Sequence, residues 1–242
     1  MLLNFNMGIV YLISGILICQ FIAYTSKFTF PINQKYLKSF PPNFLMQIYF
    51  AICSLILMYT FGYELNFKIS LNHIWKIMYQ VFILFFMSFI IVGAIIDFIK
   101  SKSLISESDK KESNFGKPPN QIIFMFMIMF INPITEELFY RGFLLNHILL
   151  LDYNLIENSI FILSLPVFLS GLYFGVDHYL ALSKMKMNKY FVYNITLTSI
   201  IVGSACGYFY IEYDTFSAAI IVHFMANFTG MIVGSLKEKL IN

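Results

Sequence analysis

Long apolar runs follow one another along this chain and decide what it can fold into. A helix needs about 20 mostly apolar residues to cross a bilayer, and lipid leaves no water to bond a free backbone. The runs lie at roughly 7–25, 43–63, 75–99, 121–150, 157–180, 190–212 and 215–235. Only 12% of the residues are charged, against about 25% in soluble domains. The sequence therefore predicts an all-α, polytopic transmembrane helix bundle and excludes an ordinary water-soluble domain.

The fourth run, at 121–150, is longer than one crossing needs and contains Pro133. A proline inside a helix removes a hydrogen bond and kinks or ends the helix. Residues 121–150 are therefore predicted to form either one kinked span or two helices. The bundle should have seven spans, and eight if the run divides.

Lysines mark alternate connections. Thirteen of the fifteen lysines fall near residues 27–38, 100–117, 184–189 and in the C-terminal tail, while only Lys68 and Lys76 belong to the opposite side. Since cytoplasmic loops collect basic residues, we expect a multi-pass protein of the cell membrane with a cytoplasmic C-terminus. The net charge of +3 comes without a dense basic tract, which argues against nucleic-acid binding.

The one extended polar stretch, Lys100 to Asn120, suggests how the chain is organised. It predicts a solvated cytoplasmic loop closing an N-terminal region, residues 1–119, that has spans but no motif. Residues 120–242 should form a second unit with all the polar motifs. Cys19, Cys53 and Cys206 show no metal-binding spacing and are expected to be reduced thiols without a role.

Three ionisable residues stand together inside the fourth run. Arg141 is the only arginine of the chain, and Glu136 and Glu137 precede it. Each such group costs at least about 2.5–3.5 kcal/mol at membrane depth, so a cluster usually marks a functional site. Glu137 and Arg141 are four residues apart and should pair on one helix face. Glu136 projects about 100° away and is predicted to be an unpaired carboxylate suited to a general base.

Two later runs add polar groups. His178 ends the segment Phe174-Gly-Val-Asp-His, and His223 and Asn227 share a face of the last run at i,i+4 spacing. Polar groups from three segments are expected to converge on one cavity. The other histidines, His73 and His147, lie near segment ends and are expected at the membrane interface.

These segments resemble the motifs of the CPBP (Abi) family of intramembrane proteases, which includes Rce1-type CAAX prenyl endopeptidases and bacteriocin-processing or immunity proteins. Glu136 to Arg141 fits EExxxR, Phe174 to His178 fits FxxxH, and His223 to Asn227 fits HxxxN. The resemblance covers about residues 120–235. Asp177 departs from the pattern, since an apolar residue is expected there.

The resemblance implies an endopeptidase whose Glu136 and His178 activate water, while His223 and Asn227 stabilise the oxyanion and Glu137 and Arg141 support the motif helix. The substrate would be a membrane-associated, prenylated or leader peptide in the bilayer. No cofactor is favoured. A zinc ion held by Glu136, His178 and His223 would support the same hydrolysis, although the H-E-x-x-H signature is absent. A silent immunity or scaffold protein of the same fold is the alternative. A transporter is not favoured, because the sequence lacks the paired broken helices in two related halves that transporters usually have.

The depth of the motifs poses a problem for this assembly. Glu136 lies 19 residues after Lys117, about 28 Å along a straight helix, whereas His178 lies near the lysines at 184–189. Both must reach one depth. The sequence therefore predicts a bend or break near Pro133, or an interfacial start to the fourth run.

Overall fold

The computed structural model describes residues 2–37, 40–41, 43–102, 121–149, 164–184 and 187–241. This part of the chain contains helices and no strands. In chain order the helices are α1 (Leu2–Ser26), α2 (Thr29–Tyr36), α3 (Phe44–Phe61), α4 (Leu71–Lys102), α5 (Gln121–Leu149), α6 (Leu165–Lys184), α7 (Lys189–Tyr213) and α8 (Phe216–Ile241). The predicted loop at 100–120 and the boundary at 119/120 lie almost wholly outside the described residues.

Seven segments of the described chain are long and apolar enough to cross a membrane, which confirms the predicted seven-span bundle. They are Ile13–Tyr36, Phe44–Phe61, Leu71–Ile99, Gln121–Leu149, Leu165–Lys184, Lys189–Tyr213 and Phe216–Leu236. The protein is therefore a multi-pass membrane protein. The fifth segment was predicted to begin at residue 157. Residues 157–163 lie outside the described part of the chain, and the described helix begins at Leu165.

Helix α5 is one helix and not two. Its backbone widens into π-helical turns at Met127–Ile131 and again at Leu138–Leu145. The first π stretch ends directly before Asn132 and Pro133, where a regular helix would meet the missing N–H and the ring of the proline. A π turn relieves such a conflict without ending the helix. The second run of wide turns is buried at all eight residues, so α5 forms the centre of the bundle.

Helices α6 and α7 make the most extensive helix–helix contact. Each carries a G-x-x-x-G pattern, Gly171 and Gly175 on α6 and Gly203 and Gly207 on α7. A Cβ atom built on Gly171 would lie 2.6 Å from the backbone nitrogen of Ser204, and one on Gly203 would lie 2.9 Å from Cα of Gly171. Small residues allow membrane helices to approach this closely, so the glycines set the α6–α7 distance.

Two connections on one side of the bundle are tied together. The carbonyl of Asn66, in the α3–α4 connection, accepts from the backbone N–H of Phe216 at 2.6 Å. The side-chain amide of Asn66 donates to the carbonyl of Asp214, also at 2.6 Å, and Thr215 Oγ1 donates to the Asn66 carbonyl at 3.0 Å. The α3–α4 and α7–α8 connections therefore lie on the same side, as a seven-span alternation requires.

His147, which was predicted near a segment end at the membrane interface, is packed inside the bundle near the end of α5. Only 1% of it is exposed. Its Nε2 lies 3.1 Å from the hydroxyl of Ser14 on α1, and its Nδ1 lies 2.9 Å from the hydroxyl of Tyr63. These bonds hold the end of α5 against α1 and the α3–α4 connection.

We expect Gly171→Ala to destabilise the bundle by about 1–3 kcal/mol, because the new methyl group would overpack against the α7 backbone. Gly93→Ala on α4 is the matched control, since a Cβ there meets nothing within 4 Å and alanine favours a helix. Thermal unfolding of the purified variants in detergent measures both. Equal midpoints for Gly171→Ala and the parent would contradict the close crossing.

Candidate active site

An ion pair lies at the centre of the bundle. Arg141 Nη1 donates to Glu137 Oε1 at 3.0 Å, and both side chains are fully buried. Arg141 Nη2 donates to the backbone carbonyl of Gly203 on α7. The guanidinium also lies 5.4 Å from the ring centroid of Phe174, at cation–π distance. The expected pairing of Glu137 with Arg141 is present, and it links α5 to α6 and α7.

His223 lies between the two glutamates. Its Nδ1 is 2.7 Å from Glu137 Oε1, and its Nε2 is 3.7 Å from Glu136 Oε2. Because a carboxylate can only accept a hydrogen bond, Nδ1 carries a hydrogen and donates it to Glu137. Nε2 is thereby directed at Glu136. The expected convergence of α5 and α8 is present, and it includes Glu137 as the residue that orients His223.

Glu136 has neighbours that the sequence did not indicate. Its side chain is 18% exposed, and its Oε1 accepts from the amide of Gln47 on α3 at 3.4 Å. The spacing on α5 suggested that Glu136 is isolated, and this contact shows that it is not. Its two oxygens face different helices, Oε1 toward α3 and Oε2 toward His223 on α8.

His178 and His223 are joined through a shared aromatic ring. The Phe174 ring centroid lies 4.5 Å from that of His178 and 5.6 Å from that of His223, with edge-on geometry in both pairs. His178 Nδ1 lies 2.9 Å from the carbonyl oxygen of Phe174. A carbonyl accepts, so Nδ1 donates and Nε2 of a neutral His178 is left as an acceptor. The phenylalanine of FxxxH thus spaces the two imidazoles.

Asn227 lies one turn beyond His223 on α8 and contacts α5. Its Nδ2 donates to the carbonyl of Ile128 at 2.8 Å, within the first π stretch. Wide turns leave carbonyls off the regular helical pattern, and this one is bonded by the Asn227 amide. The contact holds α8 against α5 about two helical turns before the two glutamates.

Asp177 brings the FxxxH segment level with the EExxxR segment. Tyr140, one turn after Glu136, donates its hydroxyl hydrogen to Asp177 Oδ2 at 2.6 Å. The acid that departs from the motif therefore has a partner on α5. The motifs of α5 and α6 were required to lie at one depth. This bond brings them to the same level of the bundle, one turn from Glu136, although α5 is a single helix.

Side chains that could bind a metal ion also lie at this place. Within the described residues, Glu137, Cys206 and His223 offer ligand atoms that all lie within 4.8 Å of one another. Only His223 belongs to the zinc set considered from the sequence, Glu136, His178 and His223. Glu137 already holds the Arg141 cation at 3.0 Å, and a second cation there would be repelled. The Glu137, Cys206 and His223 set therefore does not fit a metal ion.

Gln47 and the Gly203 carbonyl were not predicted from the sequence, whereas Cys206 was named there as a reduced thiol without a role. A polar Gln47 inside an apolar run is itself a signal, since polar groups at membrane depth are often functional. Cys206 is a free thiol whose side chain is fully buried. A backbone carbonyl gives no sequence signal of this kind.

Residues 118–229 match the family model described as type II CAAX prenyl endopeptidase, Rce1-like. All the residues of the three motifs fall within this match. No curated protein and no solved structure matches the chain. This match covers the segment that carries all three motifs, and it confirms the resemblance drawn from them.

We expect Glu137→Gln to lower the stability of the bundle by about 3–5 kcal/mol, because it leaves the Arg141 charge buried without its partner. Glu136→Gln is the matched control: it makes the same chemical change one residue away, at a partly exposed group. The measurement is the thermal midpoint and the folded yield after gel filtration in detergent. Parent-like stability of Glu137→Gln would refute a supporting role for the pair.

Proposed function

We propose that this protein is an intramembrane endopeptidase that hydrolyses a peptide bond in a prenylated or otherwise membrane-associated peptide. The observation that carries the proposal is the placement of His223 between Glu137 and Glu136. Glu137 orients His223, and His223 faces a second, partly exposed carboxylate, so a general base and a hydrogen-bond donor for the oxyanion lie side by side, as hydrolysis requires. The match of residues 118–229 to the Rce1-like family model supports this class of substrate.

In the proposed reaction, Glu136 removes a proton from a water molecule as the water oxygen attacks the substrate carbonyl. His178 accepts a hydrogen bond from the same water through Nε2, because its Nδ1 is bonded to Phe174. The tetrahedral intermediate carries an oxyanion. The proton held by Glu136 then passes to the nitrogen of the leaving group, the C–N bond breaks, and Glu136 is restored.

We assign the stabilisation of the oxyanion to His223 and Asn227. The proposal takes His223 as an imidazolium that is protonated from solvent before the reaction, so that Nδ1 donates to Glu137 and the Nε2–H group donates to the oxyanion. The Asn227 amide has two N–H groups, and the Ile128 carbonyl uses one of them. The proposal gives the other to the oxyanion. Donors placed before the reaction in a site with little water stabilise developing charge strongly.

The lysine pattern supports an orientation for this enzyme. We propose that it lies in the cell membrane with its C-terminus and the 100–120 loop in the cytoplasm. A prenylated peptide would then meet the site from the cytoplasmic leaflet, where its lipid chain can stay in the bilayer.

We expect purified protein in liposomes to cleave a fluorogenic farnesylated CAAX peptide, and Glu136→Gln to lower turnover at least about 100-fold because the general base is lost. The same peptide without the farnesyl group measures how much the lipid contributes. Glu136→Gln should keep the thermal midpoint of the parent. Equal turnover by Glu136→Gln and the parent would overturn the assignment, and cleavage of neither peptide by the parent would favour a silent immunity or scaffold protein.

The proposed chemistry requires no metal ion, so activity should survive equilibration with strong chelators. Elemental analysis of the purified protein should find no stoichiometric zinc. If chelation abolishes activity, zinc restores it, and His178→Ala or His223→Ala prevents zinc binding, those residues are metal ligands and the water-only reaction is wrong.

A further inference from the structure

Gln47 brings a buried amide from α3 to the site. It lies in the first turn of α3, in the part of the chain outside the family match, and is only 4% exposed. Its Nε2 donates to Glu136 Oε1 at 3.4 Å. A buried amide is costly unless its groups are bonded, so the contacts on both ends of this side chain matter.

Thr135 fixes the direction of the Gln47 amide. The hydroxyl of Thr135 lies 2.5 Å from Gln47 Oε1, nearer than its two alternative acceptors, the carbonyls of Ile131 and Asn132. With its oxygen accepting from this hydroxyl, the amide must present its NH₂ group to Glu136. A carboxylate needs a donor, so the hydrogen bonds at both ends of the amide require the same orientation.

The turn that carries Gln47 is itself held by α2. Asn33 is buried, and its Oδ1 accepts from the backbone N–H of Leu45, one of the free donors at the start of α3, at 3.1 Å. Its Nδ2 donates to the carbonyl of Pro41 at 3.0 Å. A side-chain cap of this kind fixes the first turn of a helix. Gln47 is thus presented on a braced turn.

We infer that Gln47 is a positioning residue for Glu136. It bonds Oε1 and so leaves Oε2, the oxygen that faces His223, as the one that takes the proton from water. This role rests on the proposed function, because it concerns the same carboxylate. It also gives the motif-free N-terminal region a direct part in the site.

The kinetic test uses Gln47→Met, which keeps the length of the side chain and removes its amide. The farnesylated CAAX peptide is the probe. Loss of a hydrogen bond to a charged group should lower kcat about 10- to 100-fold, with KM changed by less than about twofold because Gln47 is directed at Glu136. Gln47→Glu should lower kcat further, since it sets one carboxylate against another.

Ser54→Ala is the matched control. Ser54 is also a buried polar residue of α3, but its hydroxyl donates to Phe50 of its own helix, so kcat should stay at the parent value. If Gln47→Met fails to fold, Thr135→Val provides a second route: it leaves Gln47 in place and frees the amide to turn. It should lower kcat, whereas Thr135→Ser should restore it.

A spectroscopic test does not depend on turnover. Infrared difference spectra of Gln47→Met and the parent should show a shifted carboxylate stretch, and the shift should vanish when both proteins also carry Glu136→Gln. A parent-like kcat in Gln47→Met, or a shift that persists without Glu136, would overturn the inference while an inactive Glu136→Gln still upheld the proposed function. Absence of cleavage by the parent would contradict the proposed function, and the positioning role with it.

Discussion

A buried arginine is the constraint on which the rest of this bundle depends. A guanidinium at the centre of an apolar structure must be neutralised, because removing an unpaired charge from water is very costly. Glu137 on the same helix neutralises Arg141 and accepts from its Nη1, and the Gly203 carbonyl on α7 accepts from Nη2, while Nε has no hydrogen-bond partner among the described residues. One charge thus specifies both the conformation of α5 and its position against α7.

The glycine crossing and the ion pair depend on each other. Gly203 packs against Gly171 on α6, and its carbonyl accepts from Arg141. A larger residue at either position would separate α6 from α7 and move the carbonyl. Since α6 also carries Phe174 and His178, the distance between two helices fixes both the partner of the arginine and the position of a proposed catalytic histidine.

Patterns with short sequence separation were predictable. The length of the apolar runs is a local property, and the seven spans follow from it. The Glu137–Arg141 pair follows from helical periodicity, and the three motifs identify the family match at 118–229. The contact from α3, which carries no motif, was not predictable: helical spacing alone left Glu136 unpaired, yet α3 brings Gln47 to it across 89 residues. The sequence left open whether the fourth run is one helix or two. The answer lies in the π turns that continue α5 around Pro133, and these depend on packing.

The N-terminal helices carry no motif, yet one of them contributes a side chain to the site. Glu137 and His223 are both supplied by the family-matched half, and their contact orients the histidine. Among the described residues of that half, Glu136 has no comparable partner, because His223 Nε2 is 3.7 Å from its Oε2, too far for a direct hydrogen bond. At this distance the histidine does not occupy Oε2, so a water molecule can approach that oxygen and give it a proton. A carboxylate without a direct bond to the histidine needs another hydrogen bond to fix its position. Gln47 on α3 donates that bond to Glu136 Oε1.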